Sequence, residues 1–450
     1  MQAKITSVLA EKKVIVRDTP RPVTPFGGLA VFVEFLNRIG LRQDLEKSMP
    51  VEYNSPNAIP PVHTLMAFMF SVLAGARRFA HANLIRADLA LHAMLGIERF
   101  PGDDTIRNLF RRFRMGECER LFSPLWSSML SRLPSRPEGY TLDLDSTVFE
   151  RYGQRQEGTL KGYNPRKPGR VSHHPLLAVL AGVNFILHGW LRSGNCSSAR
   201  GVKEFLSEAL AMLPGGLMVN LVRADSGFFD QSLLGFLEDR GLNYQIVARM
   251  TGRVKDAVWG ILESNRRPLS ENYSVGELRL KLHGWDRERR FIFVRELVRE
   301  GKEAIGRKLL HIPGYTFRAF VTNTSIPPEE VWRTYSGRAD MENRISELKS
   351  DLEADGFCMR QFHSTEAAFR SILLLFNLLG EFQRAAGIQP WHRPDTLRTK
   401  VFLCGAILGH SGRKAILHMS LAWGGIKSRI HLLERILGDE NATSPKLAFG

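Results

Sequence analysis

The spacing of apolar and polar residues changes near residues 134–137, and the change divides the chain. Before it, apolar positions recur at helical steps over 31–39, 64–76, 84–95 and 105–113, so residues 1–135 read mostly as helices. After it, TLDLDSTV alternates like a strand: Leu142 and Leu144 share one face, and Asp143, Asp145 and Thr147 the other. HHPLLAVLAG and NFILHGWLRSG read as two apolar strands and RGVKEFLSEALAML as a helix. GLMVNLVRADSGF reads as a buried strand ending in Asp225. FDQSLLGFLEDRG is a helix stopped by Gly241, and NYQIVAR a further strand. This β-β-β-α-β-α-β order predicts an α/β fold, a mixed sheet flanked by helices. GELRLKLHGW and RRFIFVREL look like strands of a β-rich insertion. TFRAFVTNTS resumes the core, and PPEEVWRTYSGRADMENRISELKSDL reads as one long helix.

The expected organisation is therefore a helical domain over 1–135, a first core part over 136–250 and a β-rich insertion over 251–315. A second core part over 316–390 and a basic segment over 391–450 follow. Within the first domain, PGDDTIRNLFRRFR starts like a capped helix, with Asp103 and Asp104 ahead of four arginines. Joined to its predecessor by a short linker, it fits a DNA-binding helical pair, and equally an ordinary helical domain with a solvated basic face.

Composition narrows the function classes. Over 450 residues, 44% hydrophobic and 24% charged is a globular balance, which excludes a disordered chain. Lys and Arg number 62 against 46 Asp and Glu, a net charge of +16, so polyanions suit the chain better than acidic substrates. The stretch 151–170 is rich in Gly and Pro and carries six Lys/Arg against one Glu. It reads as a loop, with Lys161, Arg166, Lys167 and Arg170 available to a DNA backbone and Tyr163 to a stacking base. Cys118, Cys196, Cys358 and Cys404 share no C-x-x-C spacing, so reduced cytoplasmic thiols are expected. There is no apolar signal core, and no apolar stretch reaches bilayer length, so no membrane association is expected.

Three acidic positions stand out: Asp145 on a central strand, Asp225 ending another, and Glu342 within the late helix. Three carboxylates around one cleft are hard oxygen ligands suited to Mg²⁺ or Mn²⁺. At 100° per residue on an unbroken helix, Tyr335, Arg338, Glu342 and Lys349 cover about 60° of one stripe, with Asp340 and Glu347 on the opposite side. A carboxylate there can bind metal while the cations neutralise phosphate. Arg338 and Glu342 also fit a plain i,i+4 ion pair. Period two alone leaves Asp143 and Asp145 equivalent. His173 and His174 read as surface loop residues.

The run Y-x-x-R-x-x-x-E-x-x-x-x-x-x-K, met here by Tyr335, Arg338, Glu342 and Lys349, resembles the signature of bacterial insertion-sequence transposases with an Asp-Asp-Glu metal triad, the DDE domain group 1 type. LDLDSTV resembles their first-Asp strand and RADSGF their second. The resemblance implies an RNase H-like core carrying the β-rich insertion, and Asp145, Asp225 and Glu342 as catalytic metal ligands for two Mg²⁺, which Mn²⁺ can replace. It favours Asp145 over Asp143, because Ser146-Thr147 follows as in the family. It also implies that Tyr335, Arg338 and Lys349 hold the end phosphate. The activity implied is cut-and-paste transposition: cleavage at terminal inverted repeats and strand transfer to target DNA, by a dimer on DNA in a bacterial cytoplasm. A nuclease without strand transfer and an inactive DNA-binding derivative are the rivals.

Overall fold

The computed structural model describes residues 2–9, 12–153, 155–260, 266–297 and 315–438. The chain forms two compact units: Met1–Arg112 with Asp351–Phe357 and Glu381–Gly450, and Phe113–Ser350 with Cys358–Gly380.

In the first unit, α1 (Leu29–Arg38), α2 (Leu41–Ser48), α3 (Pro61–Leu73), α4 (Ala82–Ile85), α5 (Leu89–Leu95) and α6 (Asp103–Arg111) follow three short strands. Two of these strands, β1 (Gln2–Thr6) and β2 (Lys13–Arg17), form an antiparallel hairpin that helical spacing did not foresee. Every position of β2 is exposed, so no buried face marks it in the sequence. The periodic stretch 84–95 is two helices, because Asp88 breaks it by accepting from the Leu91 amide at 2.8 Å as an N-cap. β3 (Val23–Thr24) pairs with β16 (Ala406–Ser411), which pairs in turn with β17 (Lys414–Met419). The helices α14 (Pro394–Leu397) and α15 (Ile430–Gly438) complete this unit. Phe32 meets Phe35, Phe70, Phe382 and Phe402 with ring centroids 5.4–6.1 Å apart, in the range of favourable aromatic packing.

The second unit begins with α7 (Met115–Leu130) and is built on one large sheet. Its strands are β4 (Tyr140–Ser146), β8 (Leu176–Leu180), β9 (Phe185–Trp190), β10 (Val219–Ala224), β11 (Asn243–Val247), β12 (Arg267–Ser270), β13 (Tyr273–Leu280), β14 (Arg289–Leu297) and β15 (Tyr315–Thr322). Among the described residues the order across it is β12-β13-β14-β15-β11-β10-β4-β8-β9. β4, β8 and β9 form an antiparallel meander, β10 and β11 join parallel to β4, and β15 runs antiparallel to β11. Three antiparallel strands with two more parallel to the first are the RNase H-like arrangement. The helices α8 (Val202–Ala211) and α9 (Gln231–Asp239) supply the crossovers that parallel strands require. β5 (Phe149–Glu150), β6 (Leu160–Lys161) and β7 (Val171–His173) make a small separate sheet, so part of the expected 151–170 loop is strand. A helix, α10 (Gly252–Gly260), precedes β12.

The late helix is not continuous. It is α11 (Pro328–Ser336), then α12 (Ala339–Ser346), then a π-turn over Glu347–Asp351, before α13 (Phe362–Ala385). At the break the Arg338 amide donates to the Tyr335 carbonyl at 2.8 Å, one residue short of helical register. The Thr334 carbonyl, its ordinary partner, accepts from the Arg223 guanidinium instead. The single-stripe expectation fails there, since it needs an unbroken period. The π-turn shifts the phase once more, and Glu347 is buried at 1% exposure against Arg344 rather than lying on a solvent face.

Candidate active site at the ends of strands β4 and β10

Strand alternation sets the faces of β4: Leu142 and Leu144 are fully buried on one side, and Asp143, itself buried, and Asp145 project from the other. In the parallel register Leu144 pairs with Ala224 and Asp143 with Arg223. Asp145 and Asp225 thus each follow a paired residue, side by side at the carboxyl ends of neighbouring parallel strands, where α/β sheets place their sites.

The environment separates the two aspartates of β4. Asp143 is clamped by Arg223, whose Nε and Nη2 donate to its two carboxylate oxygens at 2.6 and 2.7 Å. Asp145 accepts from the Ser146 amide at 2.7 Å and pairs with Arg338 Nη2 at 2.9 Å. Burial pushes the Asp145 carboxyl up to about 6; Arg338 opposes this and the charge of Asp225 adds to it. Arg338 is itself buried, which works against its charge, yet Asp145 above all raises its proton affinity. Among the described residues its buried Nε has no hydrogen-bond partner.

Asp225 ends β10 and turns the chain, its Oδ1 accepting from the Gly227 amide at 2.9 Å. A Cβ on Gly227 would lie 2.7 Å from Ser198 Oγ and 2.9 Å from Asp225 Oδ1, so only glycine lets the chain pass here. Ser198 and Ser146 hydroxyls meet at 2.8 Å beside the two carboxylates.

Three signature residues reach the same strand ends. Tyr335 Oη donates to the Ala224 carbonyl at 3.3 Å, Arg338 Nη2 to the Leu144 carbonyl at 2.9 Å, and Lys349 Nζ to the Val148 carbonyl at 2.9 Å. Burial pushes the Tyr335 hydroxyl up to about 12, so it stays a donor. Glu342 lies in the first turn of α12. Among the described residues no group of three or more His, Cys, Asp or Glu is arranged to share a metal ion. The structure brings Asp145 and Asp225 together at the ends of neighbouring strands.

A family model, Transposase DDE domain group 1, matches residues 6–438. The chain belongs to this family. No curated protein sequence matches it. A solved structure, the cryo-EM structure of a piggyBac transposase synaptic complex with hairpin DNA, is similar to it at 12% identity. The match covers 85% of this chain and 81% of that one, with a TM-score of 0.46. DDE transposases generally use divalent metal ions, and the donor chemistry fits such an ion in kind: two carboxylates lie side by side, and the proton affinity of Asp145 is raised chiefly by burial and further by the charge of Asp225.

The basic stretch of this transposase is less free than its composition suggests. Lys167 Nζ bonds Glu150 at 2.7 Å and Tyr152 at 3.1 Å, and Arg170 stacks over the Tyr152 ring at 4.7 Å. Lys161, Arg166 and Tyr163 are exposed. His173 and His174, expected at the surface, are buried. His173 Nε2 and the Glu157 carbonyl are 2.8 Å apart, and its Nδ1 accepts from Arg151 at 3.0 Å. His174 Nδ1 and the Cys196 carbonyl are 2.6 Å apart. The residue that sequence reasoning passed over is Arg223. Its signal was a lone cation in an apolar strand, two positions before Asp225 and therefore on the same face. Among the described residues no helix is long and apolar enough to cross a membrane.

Proposed function

We propose that this transposase cleaves the phosphodiester at each end of its element and joins the freed 3′-OH to target DNA, by the cut-and-paste route. The pairing of Asp145 and Asp225 at the carboxyl ends of β4 and β10 carries the reading. Asp145, Asp225 and Glu342 would hold two Mg²⁺, for which Mn²⁺ can stand in. When bound, such ions activate a water and stabilise the leaving oxygen. Asp143 takes no part as a ligand, because Arg223 occupies both of its oxygens. Arg338, whose buried Nε has no hydrogen-bond partner among the described residues, together with Tyr335 and Lys349 would contact the phosphate of the cut end. Lys161 and Arg166, and less so Lys167 and Arg170, would follow the DNA backbone.

Residues 1–135 would bind the terminal inverted repeats. A groove of about 1310 Å³ in this region is lined by Arg86, Arg99, Arg111 and Arg112 together with Glu52, Asp103 and Asp104, and its arginines would supply phosphate contacts. The basic 391–450 segment would add phosphate contacts. The working form would be a dimer on DNA, since two ends must be paired, encoded by an insertion sequence in a bacterial cytoplasm.

The test uses duplexes bearing the repeats that flank the gene. The wild-type chain should nick them in Mg²⁺ and transfer the cut strand to a plasmid. Asp145→Ala should abolish both while keeping end binding within about threefold, because a lost metal ligand leaves the phosphate contacts intact. Cleavage without transfer identifies a nuclease, and end binding without any cleavage identifies an inactive derivative. Normal cleavage by Asp145→Ala refutes the site.

A further inference from the structure

Beneath the two carboxylates lies a second layer of charge. Arg223 and Asp143 are registered against each other on β10 and β4, two residues before Asp225 and Asp145 and on the same face of the sheet. Both are buried, at 5% and 2% exposure. The guanidinium spends Nε and Nη2 on Asp143 and turns Nη1 to the Thr334 carbonyl in the last turn of α11. That carbonyl is the one the helix break releases. A Cβ at Gly337 would lie 2.9 Å from Arg223 Nη1, so the glycine at the break leaves the guanidinium its room. Tyr335 and Arg338, on either side of Gly337, then reach the carbonyls of Ala224 and Leu144, the residues just before Asp225 and Asp145.

We infer that Asp143 and Arg223 are positioning residues of the cleavage reaction, a buried clamp that locks the α11–α12 junction onto β4 and β10 and so fixes where Asp145 and Asp225 present their carboxylates. The inference rests on the transposase reading of the same site. Arginine suits the task because its rigid fork serves both oxygens of Asp143 and still has a donor directed at the helix. Lysine keeps the charge and loses that geometry. An ion pair that only held the fold together would not need to bond the last turn of α11, just ahead of Arg338 and of α12, which carries Glu342.

The experiment uses the full chain with Arg223→Lys, Asp143→Asn and the double variant Asp143→Asn/Arg223→Gln, which restores an uncharged hydrogen-bonded pair. Four quantities are measured: the thermal midpoint, the affinity for an element-end duplex without metal, the single-turnover cleavage rate at saturating DNA across a Mg²⁺ series, and Mn²⁺ binding by calorimetry. In Arg223→Lys we expect DNA affinity within about twofold of wild type. Cleavage should fall roughly 10–100-fold, the range typical of lost outer-shell partners, with weaker Mn²⁺ binding and more Mg²⁺ needed for half-maximal rate. The double variant should recover part of the rate lost by Asp143→Asn.

Wild-type cleavage and Mn²⁺ binding in a folded Arg223→Lys chain would overturn the inference. So would an equal loss of DNA affinity and rate, or a Lys variant with no melting transition, either of which assigns the pair to folding alone. A wild-type chain that does not cleave, or an active Asp145→Ala, instead removes the transposase reading beneath it.

Discussion

His173 is fully buried with both ring nitrogens engaged, and its Nδ1 can accept from Arg151 only while the ring is neutral. Burial above all, with the neighbouring Arg151 charge, pushes its pKa down to about 4 from 6.5. The fold therefore holds a neutral ring, whereas the unfolded chain takes up a proton below pH 6.5. The contribution of His173 is whole above pH 6.5 and is lost as the pH falls toward 4. At 1.36 kcal/mol per unit it amounts to ~3 kcal/mol. Melting curves at pH 7.5 and 4.5 should show wild type losing more stability on acidification than His173→Gln, and an equal loss in both would reject this account. The residues near the site were only partly legible in sequence. Asp143 and Asp145 share a face by period two; the resemblance favours Asp145, and in the structure their partners set them apart, Arg223 for one and Asp225 with Arg338 for the other. Those partners come from distant parts of the chain.

Among the elements of the site, the turn after β10 leaves little room for a side chain. Gly227→Ala would drive a methyl into Ser198 Oγ and Asp225 Oδ1, and overpacking of this kind costs about 1–3 kcal/mol. Cleavage should fall by more than the lost stability explains, because the displaced group is a carboxylate of the site. Cleavage rates measured well below the melting midpoint check this, and an unchanged rate would show that Asp225 does not act there. The strands of the large sheet from β4 through β11 and from β13 to β15 were foreseen because they bury apolar side chains, which alternation or an apolar run reports, whereas the exposed β2 and β12 were not. The late helix was misread as unbroken because its interruption depends on Arg223 drawing off the Thr334 carbonyl, a contact between residues 111 positions apart that no local period records. The same break accounts for why three signature residues meet strand ends although their wheel positions assumed a straight helix.

For the molecule as a whole, the excess of +16 charges bears on association with DNA. Its local distribution matters more than the total. Lys161 and Arg166 are exposed, while Lys167 and Arg170 are held by Glu150 and Tyr152. Lys161→Ala/Arg166→Ala should flatten the slope of log K against log salt by about 2, roughly 0.9 per lost phosphate contact, and Lys167→Ala/Arg170→Ala by less. Binding titrations between low and moderate salt measure both, and equal slopes in all three proteins would make the stretch plain solvated surface.

The first unit is woven from three separated stretches of chain: its N-terminal 112 residues, a short return at 351–357, and the last seventy or so. Phe32 packs against Phe382 and Phe402, and the Arg38 guanidinium donates to the Leu437 carbonyl. On a ribosome the helices over residues 29–111 must therefore wait, with part of their apolar face uncovered, until residues 381–437 have emerged. Contacts so distant in sequence are slow to form. A message cut short would leave those early helices without their partners, exposed to chaperones and proteases. This order of synthesis makes the arrival of residues 381–437 a condition of the first unit closing.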